Sequence, residues 1–267
     1  MKTVAVINQK GGVGKTATAV NLAAFLGLKK RTLLVDLDPQ GHCAQAFALD
    51  ASLLSPTVYE VLFSRAEVVD AIRALRDHTS LLPANRELAI GEVELRDTFR
   101  REDRLKQALD DLDYEFAIID CPPSLGLLAI NALVAAQLVV VPVSSALAYQ
   151  GTNHLFELMA ELKGAFNLEW DVRALQTFYR QGVRESETLN ARLKEDFGDH
   201  LFNARIHLNT DISVAMSSGR PLLDYPKSSG YLDYRRFAEE VINVTQAAAQ
   251  NAGAAASGRG SRPSSAV

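Results

Sequence analysis

The sequence predicts an α/β fold: a doubly wound, mostly parallel sheet flanked by helices. Three observations predict it. Short apolar runs recur along the 267 residues, among them Val4-Ala5-Val6-Ile7, Leu33-Leu34-Val35 and Leu138-Val139-Val140-Val141. Several are continuously apolar rather than alternating, as strands buried on both faces require. Segments with helical spacing separate them, and that alternation builds parallel sheets through crossover helices. Two of the runs end on aspartate, at Asp36 and Asp120, and open α/β sheets bind ligands at the carboxyl ends of their strands.

The first strand is expected over residues 3–8, where Val4–Ile7 is apolar. A glycine-rich turn follows, and the helical spacing of residues 15–28 begins at its end. The apolar run before Asp36 predicts a strand over 31–36. Pro56 opens a helical pattern over 56–75, and the short run Thr79–Leu82 reads as the next strand. Residues 86–112 have helical spacing, and the strand 116–120 after them ends at Cys121-Pro122-Pro123, which cannot continue it. The remaining elements alternate: helix 124–135, strand 138–142, helix 149–166, strand 172–178, helix 184–197, strand 204–207 and helix 230–249. Residues 251–267 are mainly Ala, Gly, Ser and Pro, with Arg259 and Arg262. They lack apolar periodicity and cannot repay the entropy of ordering, so a disordered tail is expected after a single domain over 1–250.

Composition narrows the function. Hydrophobic residues make up 48% of the chain, enough for one sizeable core. No apolar run approaches the roughly 18 residues of a membrane span. The first residues, one lysine followed by a strand, do not read as a signal peptide, and none is expected. Cys43 and Cys121 are the only cysteines. They suggest no disulfide framework, and a reduced cytoplasm is expected. His42, His78, His154, His200 and His207 show no metal-ligand spacing. The net charge is −4, so any contact with nucleic acid has to come from a local basic patch.

The chemistry concentrates in Lys10-Gly11-Gly12-Val13-Gly14-Lys15-Thr16. A glycine turn between a strand and a helix wraps backbone N–H groups around phosphate oxygens, and the helix dipole adds to the anion site. In a P-loop of this kind Lys15 reaches the β- and γ-phosphates and the Thr16 hydroxyl ligates Mg²⁺. The standard P-loop has a glycine five places before Gly14. Here that place is Gln9, and a second lysine, Lys10, follows it. Asp120 at a strand end is placed to hold Mg²⁺ through water. Asp36 and Asp38 are one residue apart and share a side if the strand continues that far.

Together with Leu33-Leu34-Val35-Asp36-Leu37-Asp38-Pro39-Gln40-Gly41, Leu82-Pro83-Ala84-Asn85-Arg86-Glu87-Leu88 and Ile118-Ile119-Asp120-Cys121-Pro122-Pro123-Ser124-Leu125-Gly126, this loop resembles the ParA/MinD group of deviant P-loop ATPases, in its ParA (Soj-like) branch. The resemblance runs from about residue 2 to about residue 245. It implies ATP and Mg²⁺ as cofactors. Gly11, Gly12, Val13, Gly14, Lys15, Thr16 and Ala17 would hold the phosphates, with Thr16, Asp36 and Asp120 around the metal. It further implies that Asp38 positions the attacking water and that Lys10 reaches across a homodimer to the partner's phosphates. Hydrolysis would be slow and stimulated by a cargo-bound protein, and the ATP dimer would bind non-specific DNA.

The chain departs from the family in three places. Ala17 stands where threonine is usual. Asn209 falls where the family contacts adenine, but its neighbours match poorly. Chromosomal ParA proteins typically read P-R-N-V-R-L-S-E-A-P near residues 206–216, and Asp211 stands at an arginine implicated there in DNA binding. Other basic residues are therefore the candidates for DNA contact: Arg180, Arg184, Arg220, Lys227, Arg235 and Arg236. A MinD-like ATPase cycling on membranes is the alternative function. Members of that kind end in a basic amphipathic helix, unlike residues 251–267. A metal-cluster carrier would need an interfacial cysteine pair, which Cys43 and Cys121 do not form.

Overall fold

The computed structural model describes residues 1–257. Seven strands form one sheet: β1 Lys2–Val6, β2 Thr32–Asp36, β3 Arg73–Arg76, β4 Thr79–Leu82, β5 Phe116–Asp120, β6 Leu138–Val143 and β7 Asp171–Gln176. Their order is β3-β4-β2-β5-β1-β6-β7. Every pairing is parallel except β3 with β4. The helices are α1 Lys15–Leu26, α2 His42–Gln45, α3 Val58–Leu62, α4 Val68–Ala71, α5 Glu87–Glu94, α6 Arg104–Leu109, α7 Leu127–Ala135, α8 Ala146–Gln150, α9 Asn153–Phe166, α10 Arg184–Phe197, α11 Thr210–Ser217 and α12 Ser229–Ser257.

Successive residues of each central strand enter opposite cores, as the period of two dictates. Val4, Val6, Leu34, Ile118 and Val140 face a layer built with α1, α11 and α12. Ala5, Leu33, Val35, Ile119, Val139 and Val141 face a layer built with α3, α5, α7, α9 and α10. This double burial accounts for the unbroken apolar runs. Phe237 of α12 is fully buried and meets Phe202 edge to face, with centroids 4.9 Å apart. That contact, with Tyr234 beside it, locks α12 against the sheet layer that carries α1.

Four sequence expectations differ from the structure in how an element breaks or pairs. The helix expected over 56–75 is two short helices and a strand. Ser64 takes φ 53° after α3, and β3 then pairs antiparallel with β4 across a turn at Asp77, φ 45°. Arg73 donates to the carbonyls of Ser55 and Pro56, and Arg76 pairs with Asp224 at 2.6 Å. These charges blunt the sheet edge. The helix expected over 86–112 breaks between α5 and α6, where buried Asn131 donates to the carbonyl of Arg101 at 2.7 Å and accepts from the N–H of Leu105 at 3.0 Å. The helix expected over 149–166 begins earlier and divides into α8 and α9, where the Thr152 hydroxyl turns back to the carbonyl of Tyr149 at 2.7 Å. The strand expected over 204–207 makes only one isolated bridge, His207 with Tyr179 just past β7. Glu240 of α12 accepts the N–H groups of Asn203 and Ala204 at 2.9 and 2.8 Å, which removes donors from a ladder. The last helix, expected to end at residue 249, is described to Ser257. The remainder of the expected tail, 258–267, lies outside the described residues.

Phe237→Ala is expected to lower stability by about 3–5 kcal/mol, the usual cost of a buried aromatic truncation. A urea melt at fixed pH measures it, and a loss under about 1 kcal/mol would mean that α12 is not part of the cooperative core.

Candidate functional site

The loop between β1 and α1 crosses the carboxyl edge of the sheet. Gly12 and Gly14 have φ of 74° and 89°, values open to glycine and costly for other residues. Gly14 caps α1, so the turn delivers its backbone N–H groups straight into a helix N-terminus. Two side chains brace the turn. Buried Asn8 donates to the carbonyl of Pro142 at 2.8 Å and accepts the N–H of Lys10 at 2.9 Å. The Thr177 hydroxyl, after β7, donates to the carbonyl of Val13 at 2.9 Å. Sequence reasoning missed both residues. Asn8 directly after an apolar strand is a signal that could have found the first, whereas Thr177 is distant in sequence and carried none.

The two lysines of the loop have separate fates. Lys15 is buried, and its amine donates to the carbonyl of Lys10 at 3.3 Å. Burial pushes its pKa down, against the opposing charges of Asp120, Cys121 and Asp38. Lys10 is exposed, and among the described residues its ammonium makes no ion pair.

Asp36 and Asp120 sit opposite each other in the β2–β5 register, both fully buried. Asp36 accepts the N–H groups of Asp38 at 2.9 Å and Cys43 at 3.1 Å. Burial raises its pKa well above the carboxylate range, and Asp120 raises it further. Burial also raises Asp120, to about 7, although Thr16 and Lys15 pull the other way. One oxygen of Asp120 is buried with no hydrogen-bond partner. An unpartnered buried carboxylate oxygen beside a hydroxyl and a second carboxylate suits a divalent cation, so Thr16, Asp36 and Asp120 fit one. Asp38 lies just past the end of β2, in a turn where it accepts the N–H of Gln40 at 3.0 Å. It is half-buried, and its charge acts on Lys15, Asp36 and Asp120 alike.

A cavity of about 390 Å³ opens beside the loop. Gly14, Thr16 and Ala17 form one wall, and Phe178, Ile206, Ile212, Met216 and Tyr234 supply apolar surface. That size and lining suit a small planar ligand attached to phosphates. Ala17 presents a methyl group to it. Asn209 does not line it. Its side-chain carbonyl caps α11 at the N–H of Asp211, 2.8 Å away, and its amide donates to Ser228 and Ser229.

The basic candidates are all exposed but do not form one cluster. Arg236 lines a groove with Gln181 and Arg205, adjoining the loop of Arg180. Arg205, absent from the expected set, lies over the Tyr179 ring at 4.8 Å. Arg235 faces Glu239 at 3.8 Å. Arg184 begins α10, Arg220 follows α11, and Lys227 precedes α12. None of these three lines that groove. Among the described residues no helix is long and apolar enough to cross a membrane.

Comparison with known proteins agrees with this geometry. The model of a family described as AAA domain matches residues 1–172. The chromosome partitioning protein ParA of Caulobacter vibrioides is 36% identical over 252 residues, covering 91% of this chain and 94% of the relative. The sporulation initiation inhibitor protein Soj of Bacillus subtilis is 38% identical over 247 residues, covering 90% and 98%. A solved structure of cobyrinic acid a,c-diamide synthase from Mycobacterium smegmatis, with bound ATP analog and magnesium, superposes with a TM-score of 0.80. It is 33% identical and covers 92% of this chain and 96% of that one.

The raised pKa of Asp120 gives a pH-dependent stability in the nucleotide-free protein. The folded state keeps a proton that the unfolded state loses near pH 4, so the contribution of Asp120 to stability falls as pH rises from about 4 through about 7. Asp120→Asn is expected to melt above the wild type at pH 8, with the gap closing toward pH 4. Thermal melts across that range check it, and a gap independent of pH would count against the shift.

Proposed function

The chain belongs to the ParA/Soj family of partitioning ATPases, and from that premise we propose that it is a Mg²⁺-dependent ATPase that dimerises on ATP and positions a cargo by cycling on and off non-specific DNA. The observation that carries the reading is the pair of lysines in one loop, Lys15 buried in the phosphate cradle and Lys10 exposed and unpaired beside it. Two apposed nucleotide sites concentrate negative charge between them. Lys10 is a cation at that face, supplied by each subunit to the other, which is the logic of an arginine finger in trans.

The remaining residues have consistent roles. N–H groups of Gly11–Ala17 cradle the phosphates, and Lys15 neutralises them. Thr16, Asp36 and Asp120 hold Mg²⁺, directly or through water, and the bound ion offsets charge on the phosphates. Asp38 stands at the mouth of the site and orients water for attack. The cavity walled by Ala17, Phe178 and Tyr234 takes the adenosine. Relatives named as chromosome partitioning proteins support a cargo-positioning role. Slow turnover stimulated by a cargo-bound protein belongs to the same proposal. Asp211 repels phosphate, so the DNA surface is assigned to exposed arginines elsewhere, first Arg235 and Arg236 with Arg205 beside them.

Lys10→Ala is expected to remain monomeric in ATP while still binding ATP, because among the described residues its ammonium makes no ion pair within its own subunit. Sedimentation with and without ATP reads this, and a wild-type dimer fraction in the variant would end the proposal for Lys10.

ATP-dependent DNA binding is expected to be indifferent to sequence and steeply salt-dependent. Replacing Arg235 and Arg236 together by alanine should flatten log K against log[salt] by about 0.9 for each phosphate that no longer meets a cation. Fluorescence anisotropy on two unrelated duplexes at several salt concentrations measures the slope. An unchanged slope would move the surface toward Arg180 and Arg184, and no DNA binding by the wild type in any nucleotide would remove the DNA-based cycle.

A further inference from the structure

Cys43 lies in the first turn of α2, fully buried, and its thiol points at the facing carboxylates. Its N–H is bound by Asp36 at 3.1 Å, which fixes the cysteine over the β2–β5 strand ends. Its Sγ stands 3.5 Å from one oxygen of Asp120, while the other oxygen has no partner. One ligand atom each from Asp36, Cys43 and Asp120 lie within 4.8 Å of one another. A tetrahedral ion with ligands at about 2.0–2.3 Å sets its donors roughly 3.3–3.8 Å apart. The Cys43–Asp120 edge already meets that spacing, and the other edges close with about 1 Å of movement.

The donor set is unlike that of a pure Mg²⁺ site. Hard Mg²⁺ takes oxygen ligands and keeps its waters, and it has no use for sulfur. A thiolate with two carboxylates selects softer ions. We propose that Asp36, Cys43 and Asp120 form a binding site for a thiophilic divalent cation, Zn²⁺ or Cd²⁺, in the nucleotide-free protein. On binding, the Cys43 proton leaves to solvent and the sulfur bonds the metal as thiolate. The ion then compensates two buried carboxylates that otherwise repel each other. Because Asp36 and Asp120 are also assigned to the Mg²⁺ shell, the soft ion and Mg²⁺ exclude each other. That consequence rests on the function proposed above, whereas the binding itself does not.

The test uses the full chain, nucleotide-free, in a reductant without thiols, titrated with CdCl₂. A sulfur-to-cadmium charge-transfer band is expected to saturate at one equivalent per chain. Cys43→Ala should lose the band and weaken Cd²⁺ binding by more than about 100-fold, beyond the usual cost of removing even an outer-shell partner. Cys121→Ala should keep the band. X-ray absorption at the cadmium edge of the wild type gives a measurement independent of any variant, with one sulfur among oxygens expected. A shell of only oxygen and nitrogen, the absence of a band, or a band that follows Cys121 would each overturn the proposal. ATP binding by the wild type is unaffected by any of those outcomes, so failure of the metal site stays distinguishable from failure of the ATPase reading.

Discussion

Two carboxylates buried face to face at the ends of β2 and β5 are the constraint around which this molecule is organised. Asp36 and Asp120 are in register because the apolar runs before them are in register, Leu34 beside Ile118 and Val35 beside Ile119. The hydrophobic core therefore forces two acids together in a low dielectric, where like charges are most costly. What surrounds them is compensation. Two backbone N–H groups bind Asp36, and Lys15 and Thr16 act on Asp120. The compensation is incomplete, since one Asp120 oxygen has no donor. A site left short of positive charge in this way favours a cation, and the same deficit makes proton uptake by Asp120 easier near neutral pH.

The glycine turn answers the same constraint from the opposite side. Its N–H groups and the α1 N-terminus present positive potential a few residues from the acids, so a phosphate group and a cation are both accommodated at one strand edge. Asn8 and Thr177 hold the turn from just past the ends of two different strands, β1 and β7, which ties the cradle to the sheet rather than to the loop alone. Preorganisation of that kind lowers the reorganisation needed when charge moves. The division between the lysines follows from the geometry. Lys15 points inward along the helix start, and the carbonyl of Lys10 receives it. The backbone of Lys10 is thus used within the loop while its side chain is left for something outside.

Much of this was legible in the residues. The unbroken apolar runs correctly indicated strands buried on both faces, and the aspartates at their ends marked the carboxyl edge. The glycine loop and its motif partners converge at that edge, with Gly14 at the start of α1 and Asp36 and Asp120 side by side. What was not legible depended on distant contacts. Asn131 breaks the 86–112 helix from α7, and Glu240 of α12 takes the N–H groups that a strand at 204–207 would have used. No local pattern encodes either. The β3 hairpin was hidden because Arg73-Ala74-Leu75-Arg76 carries helical spacing as readily as strand character, and the adjacent edge of the sheet decided it. Cys43 was read only for disulfides and for an interfacial cluster pair, because nothing in the sequence indicates that α2 folds its thiol back onto Asp120.

The α11 region shows how one substitution serves stability and sets a limit on function. Asn209 caps this helix and Asp211 stands in its first turn, where a carboxylate is favoured by the helix dipole. An arginine at that position would face the positive end of the dipole and would depend on a bound anion for compensation. The acidic residue needs none, so α11 is settled without a ligand. Its wall of Ile212 and Met216 then remains in place for the cavity beside Ala17. The same charge disfavours a phosphate backbone at α11, so on the proposed function polyanion contact falls to exposed arginines elsewhere, first those on and around α12. Those arginines sit among Glu239 and Glu240, so a single subunit offers a mixed and weak surface. Pairing two such surfaces roughly doubles the number of contacts and, with it, the salt exponent of binding. On the proposed function, a chain whose net charge is negative would hold DNA as a dimer and release it as a monomer, with Lys10 at the face where the two subunits would meet.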